Sequence, residues 1–561
     1  MPLLLAIVLL FVPLALFLIL PIAMAVRRGF LVNGELSLYW VRFVLTDELL
    51  LEQLLNGFLL ACTTTLICLV LSVPLAVLRA RFSFRGQAVL GVLILVPLIL
   101  PPFVGALSVR KLMAQYGVLN QLLMKVGWLN PSRRPPDWLS GGFLAVAIVQ
   151  ALHLFPILYL NASAALANID PAYPQAARNL GAGPVRTFLR ITLPLMRPGL
   201  FAGGTIVFIW SFTDVGTPLM LNYSRVVPYT LYNDLTGVDY TGKTFALVLV
   251  MLAASVLLYV LGKFVFGRAA DAGASKATVQ AETRRLGAGG TALAWGVFGF
   301  VILLSILPHI GVFVYAFSDH WINTLLPSDY TTEHMVNVVE DSATYNSILN
   351  SLQYAGVSTL VDLVLGGLAA WLIVRSRVIG RRLLDALVML PLAVPGIILA
   401  AGYVAMTAPG TWLAPIGPAR NPFGILVIAY SVRRIPFVVR GVSAGLQQVP
   451  ESLEEAARNL GSSRAGAARR ITLPLIMANF VAAGVLTFAF AMLEVSDSLV
   501  LAQVTPDYPI TKQIYTLFTG GTFEGQNLAA ALGVYGMLLL GGTMAVAAGL
   551  LGKRLGAIFR A

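Results

Sequence analysis

Charge is scarce in this chain of 561 residues: Asp, Glu, Lys and Arg make up only 11%, where a soluble globular protein carries roughly a quarter. Set against 58% hydrophobic residues, that shortage excludes a string of water-soluble domains and makes the chain an integral membrane protein. Cysteine is scarcer still. Its two copies, Cys62 and Cys68, fall in one apolar stretch, which excludes a disulfide framework and any metal motif of Cys spacing. No serine elbow and no cluster of metal ligands occurs, so no catalytic residue, bound metal or cofactor is expected and the chain is not read as an enzyme. The alternating ten-residue segments of a membrane barrel are missing too. What is present is a series of apolar runs, about a dozen, each near the roughly 20 residues that a membrane helix needs, in a setting where the backbone must satisfy its own hydrogen bonds. The net charge of +13 does not point to nucleic acid, because most Lys and Arg sit in short interhelical loops, where they set orientation in the lipid bilayer. The segment from Pro2 to Ala25 lacks a basic leader and a cleavage site, and is read as a retained helix.

The runs predict helices near 2–25, 54–78, 88–109, 142–163, 199–221 and 244–267, then near 292–317, 351–374, 383–406, 422–445, 479–501 and 528–551. The two sets correspond. Asn56 matches Asn350, and Pro97 and Pro101 match Pro391 and Pro395, at an offset of 294; Pro156 matches Pro436 at 280. The expected fold is therefore all-α, twelve transmembrane helices in two pseudosymmetric six-helix units at 1–267 and 291–561, joined by a polar, Ala- and Gly-rich linker at 268–290. Basic residues gather on one side, which is then cytoplasmic: Arg79, Arg81, Arg85, Arg178, Arg186, Arg190, Arg197, Arg375, Arg381, Arg382 and Lys553 among them. Both termini are expected there. The loop Ser318–Asn350 holds five acidic residues and no Lys or Arg, as an external loop does, whereas Arg27, Arg28, Arg133 and Arg134 run against the rule.

One polar stretch is written twice. Residues 175–194 read QAARNLGAGPVRTFLRITLP and residues 455–474 read EAARNLGSSRAGAARRITLP, eleven of twenty positions identical at a constant offset of 280. Each begins as a short helix stopped by Gly181 or Gly461 and ends at Pro194 or Pro474. An amphipathic segment lying on lipid headgroups would look similar. Polar loops have no packing reason to match, so the repetition points to one kind of partner met twice.

The pattern E-A-A, three residues, G, nine residues, I-x-L-P resembles the signature loop of the permease subunits of binding-protein-dependent ABC importers. The first copy departs from it by Gln175, while Glu455 keeps the acid. The resemblance implies coupling loops, Gln175, Ala176, Ala177, Arg178 and Gly181 with Glu455, Ala456, Ala457, Arg458 and Gly461, that dock on a dimer of cytoplasmic ABC ATPase subunits. It implies a type I importer fold, a site in the bacterial inner membrane, an external solute-binding protein as partner and ATP hydrolysis on the separate ATPase subunits. The fused twelve-helix form and the stretch Arg433–Gly461 are most similar to the ferric-iron permease group. Thiamine, a polyamine or a phosphonate is the alternative cargo.

Two short motifs mislead. GVDYTGKT at 237–244 fits a phosphate-binding loop but leads into a membrane helix, and its counterpart at 520–527, GGTFEGQN, has neither Lys nor Thr. LSGG at 139–142 sits in an outer loop. Ionisable groups inside predicted membrane helices cost several kcal/mol and tend to be functional or paired. They are Asp214, Asp362, Arg433, Arg434, Arg440, Glu494 and Asp497, with Asp214 matching Glu494 and His153 matching Arg433. Glu494 and Asp497, three apart, are expected on one helix face. These groups either line a translocation pathway or bridge the tenth and eleventh helices. In a rival reading, a secondary transporter, Asp214, Glu494 and Asp497 would carry protons.

Overall fold

The computed structural model describes residues 2–99, 102–138, 142–237, 241–266, 284–376, 380–392 and 394–551. Every predicted apolar segment contains helix. Among the described residues seven helices are long and apolar enough to cross a bilayer, or nine if two bent pairs each count as one crossing. The helix Phe423–Gln448 is long but carries Arg433, Arg434 and Arg440, and is not among them.

Four predicted helices are broken rather than continuous. The third of each set bends, by 87° between Gln87–Leu98 and Pro102–Lys125 and by 101° between Arg381–Leu392 and Gly396–Met406. Pro391 and Pro395 explain the second bend, since each lacks an amide donor and Pro395 pushes its neighbour out of helical geometry. The fifth of each set stops at Thr213 or Met492 and resumes at Gly216 or Ser496, so Glu494 and Asp497 do not share one helix face as expected: a break lies between them.

Local devices recur in pairs. The helices Glu48–Arg81 and Ser342–Arg375 are both 34 residues long, and each starts from an Asp whose carboxylate accepts a backbone N–H three residues on, Asp47 at 2.9 Å and Asp341 at 3.0 Å. That contact satisfies one of the orphan donors of a helix start. Strand is minimal but present, a departure from all-α. Leu31–Val32 pairs with Glu35–Leu36 around Asn33-Gly34, both at positive φ (51° and 90°), the turn that an Asn-Gly pair favours. Phe82–Ser83 pairs in parallel with Arg284–Arg285, the described end of the expected linker, whose residues 268–283 lie outside the described set.

Contacts divide the chain into two compact units along a line different from the sequence halves. One comprises 1–46, 231–250 and 335–561; the other comprises 47–230 and 251–334. In the first, the span Val8–Gly29 packs on Gly396–Met406, and Tyr403 donates its hydroxyl to the carbonyl of Phe17 at 2.7 Å. A Cβ at Gly402 would lie 2.7 Å from the backbone of Pro21. Gly402→Ala is therefore expected to destabilise the chain by about 1–3 kcal/mol through over-packing, read as a lowered melting temperature in detergent. In the second unit the helix Ala288–Ala316 packs on Pro102–Met113, where Ser108 donates to the carbonyl of Pro308 and Gly311 admits the Ser108 side chain. Each unit thus takes the opening helix of the other half of the sequence. Cys62 and Cys68 are both free thiols, Cys68 buried against the Ala151 carbonyl at 3.5 Å.

The acidic loop after Ala288–Ala316 folds back through a bridge between Ser318 and Tyr330 and buries Trp321. His320 stays in water, 3.4 Å from Asp319, whose backbone and carboxylate raise the imidazole above its ordinary pKa.

Candidate functional site

The repeated loops are alike to the level of single hydrogen bonds. In the first, the helix Ala172–Asn179 ends with Gly181 N–H bonding Arg178 O (2.9 Å) and Ala182 N–H bonding Ala177 O (2.9 Å). In the second, Glu451–Asn459 ends with Gly461 to Arg458 (3.0 Å) and Ser462 to Ala457 (3.0 Å). This paired cap needs a left-handed residue, and Gly181 and Gly461 supply φ of 81° and 89° with no neighbour to meet a side chain. Gln175, Ala176 and Arg178 are exposed, as are Glu455, Ala456 and Arg458, while Ala177 is buried and Ala457 half-buried against the rest of the loop. Each cap also presents a leucine to solvent, Leu180 at 88% exposure and Leu460 at 90%. Sequence reasoning passed these two over, although both stand in the repeated text. After each cap the chain makes a π-turn, Phe188–Thr192 and Ala468–Thr472, and runs straight into a long helix.

The loops differ in what anchors them. Glu454 accepts the Thr472 hydroxyl at 2.7 Å and lies 3.3 Å from Arg375, which also holds Glu451 at 3.4 Å and donates to the carbonyls of Leu446 and Val449. Arg375 thus pins the end of Ser342–Arg375 to the start of the second loop helix. The first loop has Pro174 where Glu454 stands, and there Arg81 reaches Thr192 directly at 3.4 Å.

Within the membrane region the charges converge at one place, in the first compact unit. Arg433 and Arg434 project from Phe423–Gln448. Glu494 sits in the break between Leu473–Met492 and Ser496–Leu501, and Asp497 opens the second piece. Arg434 bonds Glu494; Arg433 lies 3.4 Å from Glu494 and 3.6 Å from Asp497. Glu494 and Asp497 are almost wholly buried, 3% and 0% exposed, whereas the Arg433 and Arg434 side chains keep 19% and 12% of their surface accessible. Asp362 on the neighbouring helix is buried too, and among the described residues neither of its oxygens has a hydrogen-bond partner, with Arg434 the cation whose charge reaches it. The bent third helix closes on the same spot, since a Cβ at Gly396 would run into the Arg433 guanidinium. Broken helices with polar groups at the break are where transporters build their solute sites. Tyr430 and Ser498 share a hydrogen bond of 2.6 Å alongside.

Two of the anticipated residues stand apart. Arg440 is exposed, donating to the Met389 sulfur at 3.3 Å, and lines a cavity of about 930 Å³ with Asp385, Gln447 and Asn479. Asp214, in the other unit, meets no cation there among the described residues. Its carboxylate accepts Gln150 at 2.9 Å and the Gly216 and Thr217 amides at 3.0 and 3.3 Å, capping the resumed helix, while His153 contacts the carbonyl of Pro97 at 2.8 Å. At Gly237–Thr244 the preceding element is the helix Val227–Thr236, not a strand, and Thr244 is bonded to Asp234 at 3.0 Å; residues 238–240 and 139–141 lie outside the described set.

Helices long enough to span a bilayer, broken helices around a buried ion network, and twinned capped loops define a polytopic transport protein. The chain belongs to the family described as binding-protein-dependent transport system inner membrane component, whose model matches residues 51–271 and again 362–559. It is a multi-pass inner-membrane permease that works with a solute-binding protein, and not itself an enzyme. It is 26% identical over 508 residues to a ferric transport system permease protein of Actinobacillus pleuropneumoniae, covering 90% of this chain and 71% of that one. A molybdenum transport system permease protein of Mycobacterium tuberculosis is 29% identical over 228 residues, 39% of this chain and 82% of its own. A spermidine/putrescine transport system permease protein of Escherichia coli is 28% identical over 202 residues, 35% and 72%.

Proposed function

We propose that this chain is the whole translocation channel of an ATP-driven importer of type I architecture, twelve spans in two pseudosymmetric six-helix repeats at 1–267 and 291–561, with ferric iron as its cargo. Both termini and both repeated loops face the cytoplasm. There Gln175–Gly181 and Glu455–Gly461 each dock one subunit of an ATPase dimer, and closure of that dimer draws the two loops together. The single observation that carries this reading is that two exposed loops 280 residues apart, repeated in sequence, end in the same pair of capping hydrogen bonds. Iron is favoured over molybdenum or polyamine because likeness to the ferric permease runs through 90% of the chain, whereas the other two relatives match 39% and 35%.

The membrane charges then act as the tie that holds the broken helices in register around the pathway. The test is uptake of radioactive iron into proteoliposomes containing the chain with its ATPase and its binding protein. Uptake is expected only with ATP, the ATPase and the binding protein all present. Uptake driven by a proton gradient without the ATPase would overturn the proposal.

A further inference from the structure

The helices Val227–Thr236 and Ile510–Thr519 are both ten residues long and lie 283 positions apart at either end. Their sequences close alike, Leu231-Tyr232 then Leu235-Thr236-Gly237 in one, Ile514-Tyr515 then Phe518-Thr519-Gly520 in the other, so Tyr232 and Tyr515 hold the same place in the repeat. Tyr232 and Tyr515 fall in the same compact unit. The two tyrosines touch: their ring centroids are 5.5 Å apart with 86° between the planes, an edge-to-face contact. Under a two-fold relation, counterparts are separated by twice their distance from the axis, so only residues on the axis touch their own counterparts.

Between these rings lies Lys512. Its ammonium is 5.3 Å from the Tyr232 ring centre, 5.6 Å from Tyr508 and 6.0 Å from Tyr515. It donates to the Leu499 carbonyl at 2.9 Å and the Tyr232 hydroxyl at 3.2 Å. The residue is 7% exposed, yet among the described residues no carboxylate lies within ion-pairing distance of it. Burial lowers its pKa to about 8, which leaves it charged at neutral pH. Ring faces hold a cation but do not neutralise it, so the charge acts on whatever comes past.

Resting on the importer reading and its orientation, we propose that the Tyr232–Tyr515 contact marks the axis between the repeats at the external mouth of the channel, and that Lys512 there selects cargo by charge. A bare trivalent cation is repelled at that point. Cargo passes as an anion, and ferric ion only inside a negatively charged complex. The tyrosine pair must part for passage, and the negative cargo then takes over the ammonium from its cage.

Two measurements test this in cells carrying the chain with its own ATPase and binding protein. The first joins the axis. Tyr232→Cys with Tyr515→Cys, in a Cys62→Ser, Cys68→Ala background with a protease site in the 268–283 linker, is treated with a short bismaleimide. The cut fragments are expected to stay linked and uptake to stop. Absence of cross-linking, or uptake unchanged by it, overturns the gate.

The second measures uptake of ferric citrate, molybdate and spermidine. Lys512→Met is expected to lower uptake of the transported probe at least ten-fold while Lys512→Arg retains it, with yield and ATPase copurification of both variants at wild-type level. Equal or increased iron uptake by Lys512→Met overturns the charge selection, as does spermidine being the transported probe. Molybdate uptake in place of iron removes the iron reading and upholds this one.

Discussion

Replacing Glu494 by Ala is expected to destabilise the chain by about 3–5 kcal/mol, the cost of stripping one partner from a buried ion pair. Glu494 is the hub: it bonds Arg434 and lies 3.4 Å from Arg433, at 3% exposure. Its removal leaves two adjacent guanidinium groups with, among the described residues, Asp497 alone at 3.6 Å and Asp362 making no hydrogen bond. Thermal unfolding of the detergent-solubilised chain, followed by size-exclusion chromatography of a fluorescent fusion, measures the loss. The double variant Arg434→Leu, Glu494→Leu is expected to regain most of the lost stability, because a buried ion pair exchanged for packed apolar side chains is often neutral or better. Uptake then divides the two roles of the cluster. A double variant that is stable and transports would reduce it to a bridge between helices; one that is stable and inert places it on the pathway.

Leu460→Asp is expected to abolish copurification of the ATPase without shifting the melting temperature. Leu460 is 90% exposed at a helix end, so its own fold gains little from it, and substitution of such a surface residue alters stability by no more than about 0.5 kcal/mol. In an interface the same leucine would be an apolar anchor, and a buried carboxylate in its place costs on the order of 2 kcal/mol or more, at least a thirty-fold loss of affinity. Leu180→Asp should act likewise on the first loop. Gly461→Arg also blocks docking, but at φ 89° any side chain adds about 1–2 kcal/mol of backbone strain. The leucines are therefore the cleaner probes. Unimpaired copurification by both aspartate variants would remove the loops as the docking surface.

Much of this was legible in the sequence because the bilayer imposes long apolar runs and the repeat copies local chemistry. The helix positions and the two glycine caps follow from those constraints, as does the gathering of Arg433, Arg434, Glu494 and Asp497, since lone charges are too costly in a membrane helix. The breaks were not legible. Whether Pro391 and Pro395 bend a helix or cross it straight depends on what fills the gap, and here the Arg433 guanidinium against Gly396 does so. Asp214 looked like the twin of Glu494, but its neighbour at the matched site is a histidine turned to the Pro97 carbonyl, so it serves as a cap. Arg440 shares a helix with Arg433 but points to an open cavity seven residues away. Lys512 escaped notice because a single lysine in a Tyr-rich stretch between helices carries no pattern; only tertiary structure encloses it.

The exchange of opening helices has a consequence for biogenesis. The hydroxyl of Tyr403 and the carbonyl of Phe17 are 386 residues apart in the chain, so the first span leaves the ribosome long before its packing partner exists. At about 5–20 residues per second it must wait on the order of tens of seconds in lipid. Severing the chain in the linker would yield two pieces, each holding a helix that belongs to the other's core. The covalent join keeps both debtors in one molecule, and makes assembly independent of the concentration at which two separate subunits would have to find each other.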